Sequence, residues 1–317
     1  LFKSIDQYWR NIVLSCGVSP LRNPNELWEN TRLTDKSYPI QLFRNRGKNK
    51  EIGDCVLYLH WHEHVEWIIM RQGYAAFHID SRQIKAGPGD VIIVPGGSLH
   101  VGYAVSEGDF IFDCIVFNPS LFNEWMQEPV HAQLVAPYLA GDVQFPLFVS
   151  SHDNWSSQYQ PDLDKITEEL MRREDGYQLI VKAKLYALYV QLSREMGRNQ
   201  PGMRQTEAYF MNRDRFKQLI DWIELHYAEK LTVRQAAEIV RLDPFHFCKQ
   251  FKKLTGRTFI EYVNVCRANE AERLLLTSED TVSEIAYRVG CENANYFTKL
   301  YKQYKGTTPS SVRNKRN

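Results

Sequence analysis

The spacing of apolar positions changes once along the chain. Across 53–117 Val, Ile, Tyr and Phe fall in short runs broken by Gly73, Gly87, Pro88, Gly89, Pro95 and Gly96, which predicts short strands joined by tight turns. From residue 162 the spacing becomes helical. A first helix is predicted over 162–173. A longer one is predicted over 179–196, where Leu179, Ile180, Ala183, Leu185, Tyr186, Leu188, Tyr189 and Leu192 fall near a 3.6-residue period without Gly or Pro. The polar stretch 194–206, REMGRNQPGMRQT, holds Gly197, Pro201 and Gly202 and predicts an interdomain joint. Strands first and helices afterwards predict an α+β chain of two domains. The expected division is a β-rich part with helices over 1–193 and an all-α domain over 207–317.

The last third of the chain repeats itself. Val233, Ala237 and Val240 recur as Val282, Ala286 and Val289, each 49 positions on. Phe247, Lys249, Phe251, Lys252, Gly256 and Thr258 recur as Phe297, Lys299, Tyr301, Lys302, Gly306 and Thr308, each 50 positions on. An extra residue inside a helix would rotate its apolar stripe by about 100°, so the change of offset belongs in a turn between two helices. Each copy therefore reads helix, turn, helix. Thr232 caps the first helix of copy one, Asp243 and Pro244 open the second, and Gly256 ends it. In copy two Ser283 or Thr281 opens the first helix, Gly290 sits in the turn, Asn293 caps the second helix and Gly306 follows it. Between the copies, 259–276 (FIEYVNVCRANEAERLLL) lacks Gly and Pro and predicts one connecting helix. Phe247, Phe251, Phe297 and Tyr301 fall at core spacing. Lysines repeated on the second helix of each copy have no packing role, whereas a helix-turn-helix sets such side chains against the major groove.

Charge sharpens this picture. The 317 residues, 44% hydrophobic and 24% charged, are enough for two buried cores and unlike a disordered chain. The net charge of +1 divides into 20 basic and 24 acidic residues over 1–206, and 19 basic and 14 acidic over 207–317, that is −4 and +5. Polyanion binding is thereby assigned to the C-terminal part. No run of 18 apolar residues exists and 1–10 lacks a signal-peptide pattern, so a cytoplasmic protein without membrane partners is expected. The six cysteines are scattered with no C-x-x-C pair and are expected to be reduced and to fill cores.

Residues 216–313 carry A-A-E-I-V-R-L-D-P-F-H-F-C-K-Q-F-K-K-L-T-G, the connecting helix, and I-A-Y-R-V-G-C-E-N-A-N-Y-F-T-K-L-Y-K-Q-Y-K-G-T-T-P-S-S-V-R. This segment resembles the DNA-binding domain of the AraC/XylS family of bacterial transcription regulators. The resemblance implies two helix-turn-helix units whose recognition helices enter successive major-groove segments of double-stranded DNA. Carried over by position, Phe245, Cys248 and Lys249 would read bases from the first recognition helix, and Asn295, Thr298 and Lys299 from the second. Family members often have Arg at the positions of Lys249 and Lys299, and Lys lacks the planar fork, so readout there is expected to be less strict. Lys252 and Lys302 would contact phosphate. The resemblance also implies a homodimer, RNA polymerase as a further partner, and activation rather than repression; the helix over 179–196 either pairs with its counterpart in a second subunit or buries against the β-rich part.

In the β-rich part, His60, His62, His64 and Glu66 share one parity, so a strand would present them on one face, and His100 follows a Pro and Gly turn. The spacings H-x-H-x(3)-E-x(6)-G (His60, His62, Glu66, Gly73) and G-x(5)-P-x-G-x(2)-H (Gly89, Pro95, Gly97, His100) resemble the two motifs of cupins, antiparallel barrels that enclose a ligand. The Asn usual after the second motif is Ala104 here. In metal-binding cupins His60, His62, Glu66 and His100 would be the ligands. In AraC/XylS sensor domains the scaffold usually holds a small organic effector. An effector and no required cofactor is therefore the expectation adopted. Trp61, Trp67, Tyr58, Tyr74 and Tyr103 lie near the polar cluster in sequence, and aromatic faces beside polar groups suit a sugar. His60, Trp61, His62, Glu66, His100 and Tyr103 form the expected effector site, with Arg44 reaching in from an N-terminal arm that also carries Arg46. The competing class is a metal-dependent cupin enzyme, an isomerase or dioxygenase, with an appended nucleic-acid-binding module. No P-loop, dinucleotide fingerprint or G-x-S-x-G points to other catalysis.

Overall fold

The computed structural model describes residues 31, 33, 38–125, 128–140, 143, 145–153, 156–199 and 207–316. Cys16, residues 1–10 and residues 200–206 of the predicted joint lie outside them. The described residues form two compact units that divide between Phe210 and Met211.

The first unit contains strands β1 (Ile40–Lys50), β2 (Cys55–His60), β3 (Val65–Gln72), β4 (Ala75–Ile79), β5 (Arg82–Ala86), β6 (Val91–Val94), β7 (His100–Ala104), β8 (Gly108–Phe117) and β9 (Phe148–Val149). They form a five-stranded sheet ordered β1-β8-β3-β6-β9 and a four-stranded sheet ordered β2-β7-β4-β5. All described pairings are antiparallel. After β8 come a 3-10 helix (Pro119–Trp125) and helices α1 (Pro129–Leu134), α2 (Ala136–Leu139), α3 (Ser156–Arg172) and α4 (Tyr177–Asn199).

Alternation along the strands decides which core each side chain joins. Ile68, Met70, Ile92, Val94, Phe110, Phe112, Cys114 and Val116 of the larger sheet meet Ala75, Phe77, Ile79 and Ala104 of the smaller one, closing a cupin-like barrel. Phe77 and Phe112 meet edge to face at 6.2 Å. The opposite parity of the larger sheet, including Val65, Trp67, Ile69, Ile93, Ile115 and Phe117, packs on Leu163, Ile166, Val181, Leu185 and Tyr189 of α3 and α4. Strand β3 is buried on both faces for this reason.

Three sequence expectations change here. The segment of Arg44 and Arg46 is no arm but β1, paired with β8 from Ile40 opposite Phe117 onward. Its polar sequence hid the strand because β1 lies at a sheet edge. Helix α3 begins at Ser156 and carries Pro161 in its second turn, where only one backbone hydrogen bond is forfeited. Helix α4 continues through Asn199, past the predicted end at residue 196 and with Gly197 inside it.

The second unit is helical: it holds α5 (Glu207–His226) from Met211 onward, then α6 (Val233–Ile239), α7 (Pro244–Thr255), α8 (Phe259–Thr277), α9 (Val282–Arg288), α10 (Ala294–Lys305) and α11 (Pro309–Arg316). Thr232, Thr258 and Thr281 each close a capping box with Gln235, Glu261 and Glu284, so Thr281 and not Ser283 opens α9. Asp243 and Asn293 cap the second helix of each copy, and Gly256 and Gly306, at φ of 73° and 70°, end it. Phe216, Phe247, Phe251, Phe259 and Tyr262 form an aromatic chain through the first copy. Phe297 and Tyr301 join Leu274, Leu275, Ile285 and Val289 in the second. Helix α8 braces both copies. Its Arg267 donates to the carbonyls of Tyr227 and Glu229 at 2.8 and 2.9 Å, fixing the loop that leads into copy one. Arg313 of α11 grips the carbonyls of Ser278 and Asp280 ahead of copy two. Among the described residues no helix is long and apolar enough to cross a membrane.

The described cysteines are free thiols, and they do not all fill cores. Cys114 and Cys291 are buried, Cys55 and Cys266 are half-buried, and Cys248 is exposed on α7. Cys248 escapes burial because it follows the core residue Phe247 and so faces away from the stripe that packs inward.

Candidate functional site

His60, His62, Glu66 and His100 are buried together inside the barrel, each offering a ligand atom within 4.8 Å of the others. Shared strand parity does not bring them together. Strand β2 pairs with β7 through register shifts that place His60 opposite His100, the chain turns over 62–64, and Glu66 enters β3. The turn directs His62 inward and leaves His64 outside the cluster, with their rings 6.1 Å apart. The turn that precedes His100 is tied to the same link, since the Gly97 amide donates to the His62 carbonyl at 2.7 Å. Gly73 of the first motif has φ of +83°, and a Cβ there would meet the Phe110 ring at 2.7 Å.

Hydrogen bonding fixes the imidazoles. Nδ1 of His60, His62 and His100 lies 2.8, 3.0 and 2.9 Å from the carbonyl oxygens of Tyr58, His64 and Ser98. A carbonyl only accepts, so each Nδ1 carries the hydrogen and donates. Yet Nε2 of His62 and of His100 lies 3.0 and 2.9 Å from the same oxygen, Oε2 of Glu66. With Nδ1 already protonated, a neutral ring would turn a lone pair toward that carboxylate, so the arrangement calls for positive charge between the groups. Burial alone would push the Glu66 carboxyl up; the hydrogen bonds from His100 and His62 outweigh it and hold the group well below the usual carboxylate range.

The rest of the expected effector site is not assembled. Tyr103 has the opposite parity to His100 on β7 and packs against His78, with ring centroids 6.1 Å apart, on the outside of the smaller sheet. Trp67 faces the helices and stacks on Tyr189 at 5.7 Å. Tyr58 and Tyr74 are exposed. Arg44 donates to buried Asp113 through Nε at 2.7 Å and Nη2 at 3.1 Å, on the helix side of the larger sheet, where Arg71 joins at 2.9 Å. For Tyr103, Trp67 and Arg44 a period of two sends the side chain away from the cluster, whereas Tyr58 shares the parity of His60 and is turned out at the register shift between Leu57 and His60. Trp61 stays beside it in the link and is half-buried.

In the second unit the recognition helices are α7 and α10. Phe245, Cys248, Lys249 and Lys252 of α7 are exposed, as are Asn295, Lys299 and Lys302 of α10. The core residues Phe247, Phe251, Phe297 and Tyr301 are buried. Phe245 is 75% exposed, far more than a packing residue of its size, which fits a contact surface. Thr298 differs from the other expected readers. It is half-buried and its hydroxyl donates to the Ala294 carbonyl at 3.0 Å. Two further exposed residues occupy matched positions. His246 and Tyr296 are exposed at the third position of each recognition helix, where Asp243 and Asn293 accept from their amides. The equal spacing from cap to residue in both copies is the signal that finds them.

Two family descriptions match this chain: the AraC-like ligand binding domain over residues 58–189 and a helix-turn-helix domain over residues 236–315. The chain belongs to the AraC family. The first match covers the barrel cluster, α3 and most of α4, and the second covers both recognition helices. Among its relatives is the uncharacterized HTH-type transcriptional regulator YdeC of Bacillus subtilis (strain 168), 24% identical over 255 residues, covering 80% of this chain and 85% of that protein. The uncharacterized HTH-type transcriptional regulator YdiP of Escherichia coli (strain K12) is 26% identical over 260 residues, 80% of each. The bifunctional transcriptional activator/DNA repair enzyme AdaA of Bacillus subtilis (strain 168) is 35% identical over 95 residues, 30% of this chain and 45% of that protein. The AraC-family chain is thus a transcription regulator with a ligand-binding domain.

Proposed function

We propose that this AraC-family chain is a cytoplasmic one-component transcription activator. An effector held in the barrel binds one arrangement of the protein more tightly than another and so shifts how the recognition helices meet a promoter. The observation that carries the reading is the pair of recognition helices with exposed Lys249 and Lys299 at matched positions, in the part of the chain that bears the positive charge. Activation rests on the description of AdaA over the stretch it shares with this chain. A homodimer paired through α4, where Leu179 is exposed, would bind two half-sites and present itself to RNA polymerase.

The cluster of His60, His62, Glu66 and His100 fits a divalent metal. Its donors are imidazole nitrogens oriented by backbone carbonyls and one carboxylate, the set that suits zinc, manganese or iron. A bound ion would anchor oxygen donors, so an oxygen-rich effector of the sugar class would join it there. The same donor set favours a second reading, a metal-dependent isomerase or dioxygenase joined to a DNA-binding part.

Metal analysis of natively purified protein, combined with duplex titrations in the presence of a sugar panel, separates the two. Activation by an effector predicts DNA affinity that responds to a sugar, and loss of that response with the metal in His62→Ala/His100→Ala. Turnover of a sugar that leaves DNA affinity unchanged favours the enzyme. A chain that ignores every duplex at low salt overturns the regulator.

A further inference from the structure

The two helix-turn-helix copies turn their corners with the same backbone and different residues. In copy one the amides of Arg241 and Leu242 donate to the carbonyls of Glu238 and Ala237 at 3.1 and 2.9 Å. In copy two the amides of Gly290 and Cys291 donate to those of Tyr287 and Ala286 at 3.0 and 2.8 Å. Both are the hydrogen-bond pair that ends a helix on a left-handed residue. Copy two fills that position with glycine, at φ of +78°, and a Cβ there would run into the carbonyl oxygen of Ala228. Copy one fills it with Arg241 at φ of +58°. A long side chain in this conformation is a strained choice that nothing in the turn's own hydrogen bonding demands.

The strain buys no contact within the chain. Among the described residues the guanidinium of Arg241 has no ion-pair or hydrogen-bond partner, and the residue is exposed. Its charged neighbours are engaged: Arg234 with Glu238 at 3.3 Å, and His246 with Asp243. A free cation therefore stands two residues before Asp243, which opens the helix bearing Phe245, Cys248 and Lys249.

We propose that Arg241 contacts a DNA backbone phosphate and positions the first recognition helix, and that it keeps its strained conformation for that purpose. This rests on the reading of the second unit as a binder of double-stranded DNA. The second copy, with Gly290, makes no equivalent contact, so the two units grip the duplex unequally.

Full-length protein is titrated by fluorescence anisotropy against a random-sequence duplex of about 40 base pairs from about 50 to about 300 mM salt, and melted in parallel. Arg241→Gly relieves the strain and removes the charge. The melting temperature of the second unit rises by about 4 °C, net of the freedom glycine adds to the unfolded chain. DNA affinity falls about fivefold at about 0.15 M salt, and the slope of log K against log salt shrinks by about 0.9. Arg241→Gln loses the same affinity without the gain in stability, and Arg241→Lys keeps the wild-type slope. Wild-type slopes in both Arg241→Gly and Arg241→Gln overturn the proposal while leaving the DNA-binding reading intact. A wild-type chain that ignores the duplex overturns both.

Discussion

The barrel cluster hides its chemistry, whereas the recognition helices display theirs. His60, Glu66 and His100 come from three strands and His62 from the turn between two of them, and all are buried, so each polar atom had to be given a partner or an ion. The side chains of α7 and α10 come from two short stretches and are exposed, each beside core residues that hold the helix. Inside the barrel, function is visible as an excess of donors aimed at one oxygen. On the helices it is visible as exposure that packing does not require. On the proposed function, a substitution in the first place acts on folding and ligand together, and a substitution in the second acts on DNA alone.

The strongest way to break this contrast is Glu66→Ala. It removes the acceptor shared by His62 and His100, and should lower the unfolding free energy of the first unit by about 3 to 5 kcal/mol and abolish metal retention. Urea unfolding and metal analysis of the same sample read both effects; unchanged stability would mean that the cluster is not coupled to the fold. Lys299→Ala should leave stability within about 0.5 kcal/mol yet cost about 1 to 3 kcal/mol on a preferred operator and relax base preference beside it. Lys302→Ala should weaken matched and scrambled duplexes alike. Equal losses on both duplexes for Lys299→Ala would move that residue from base reading to phosphate contact.

The smallest effect concerns acid. Backbone hydrogen bonds from His246, Thr258 and Thr281 hold the carboxyls of Asp243, Glu261 and Glu284 below their ordinary values. Lowered carboxyls stabilise the fold above the unfolded-state range, and that contribution disappears as pH falls through the folded-state range. The second unit should thus melt at a constant temperature near neutrality and lower as pH drops below about 4. Glu261→Gln should lose less melting temperature than wild type between about pH 5 and about pH 3. An identical loss in both would show that this cap carries none of the acid sensitivity.

The second unit was largely legible because its signals are local. Thr232, Asp243, Thr258 and Asn293 cap the helices that the repeat predicts, and glycines end α7 and α10 as expected. In the barrel the four residues that the sequence grouped do lie together, but for a partly different reason: parity within one strand gives way to a register shift and a turn. Arg44 and Tyr103 were misplaced because a strand's two faces look alike until its neighbours are known. Residues 40–50 concealed a strand because an edge can be polar, and Pro161 concealed the start of α3.

Capping, periodicity and duplication act over a few residues, so the sequence alone determined the helices of the second unit, their order and the side chains they repeat. Which face of a strand looks into the barrel, and which carbonyl holds each imidazole, depends on pairings such as His60 with His100 that join distant parts of the chain. Only the tertiary structure decided those, because a one-residue shift of register reverses every side chain on a strand while leaving its composition and pattern unchanged.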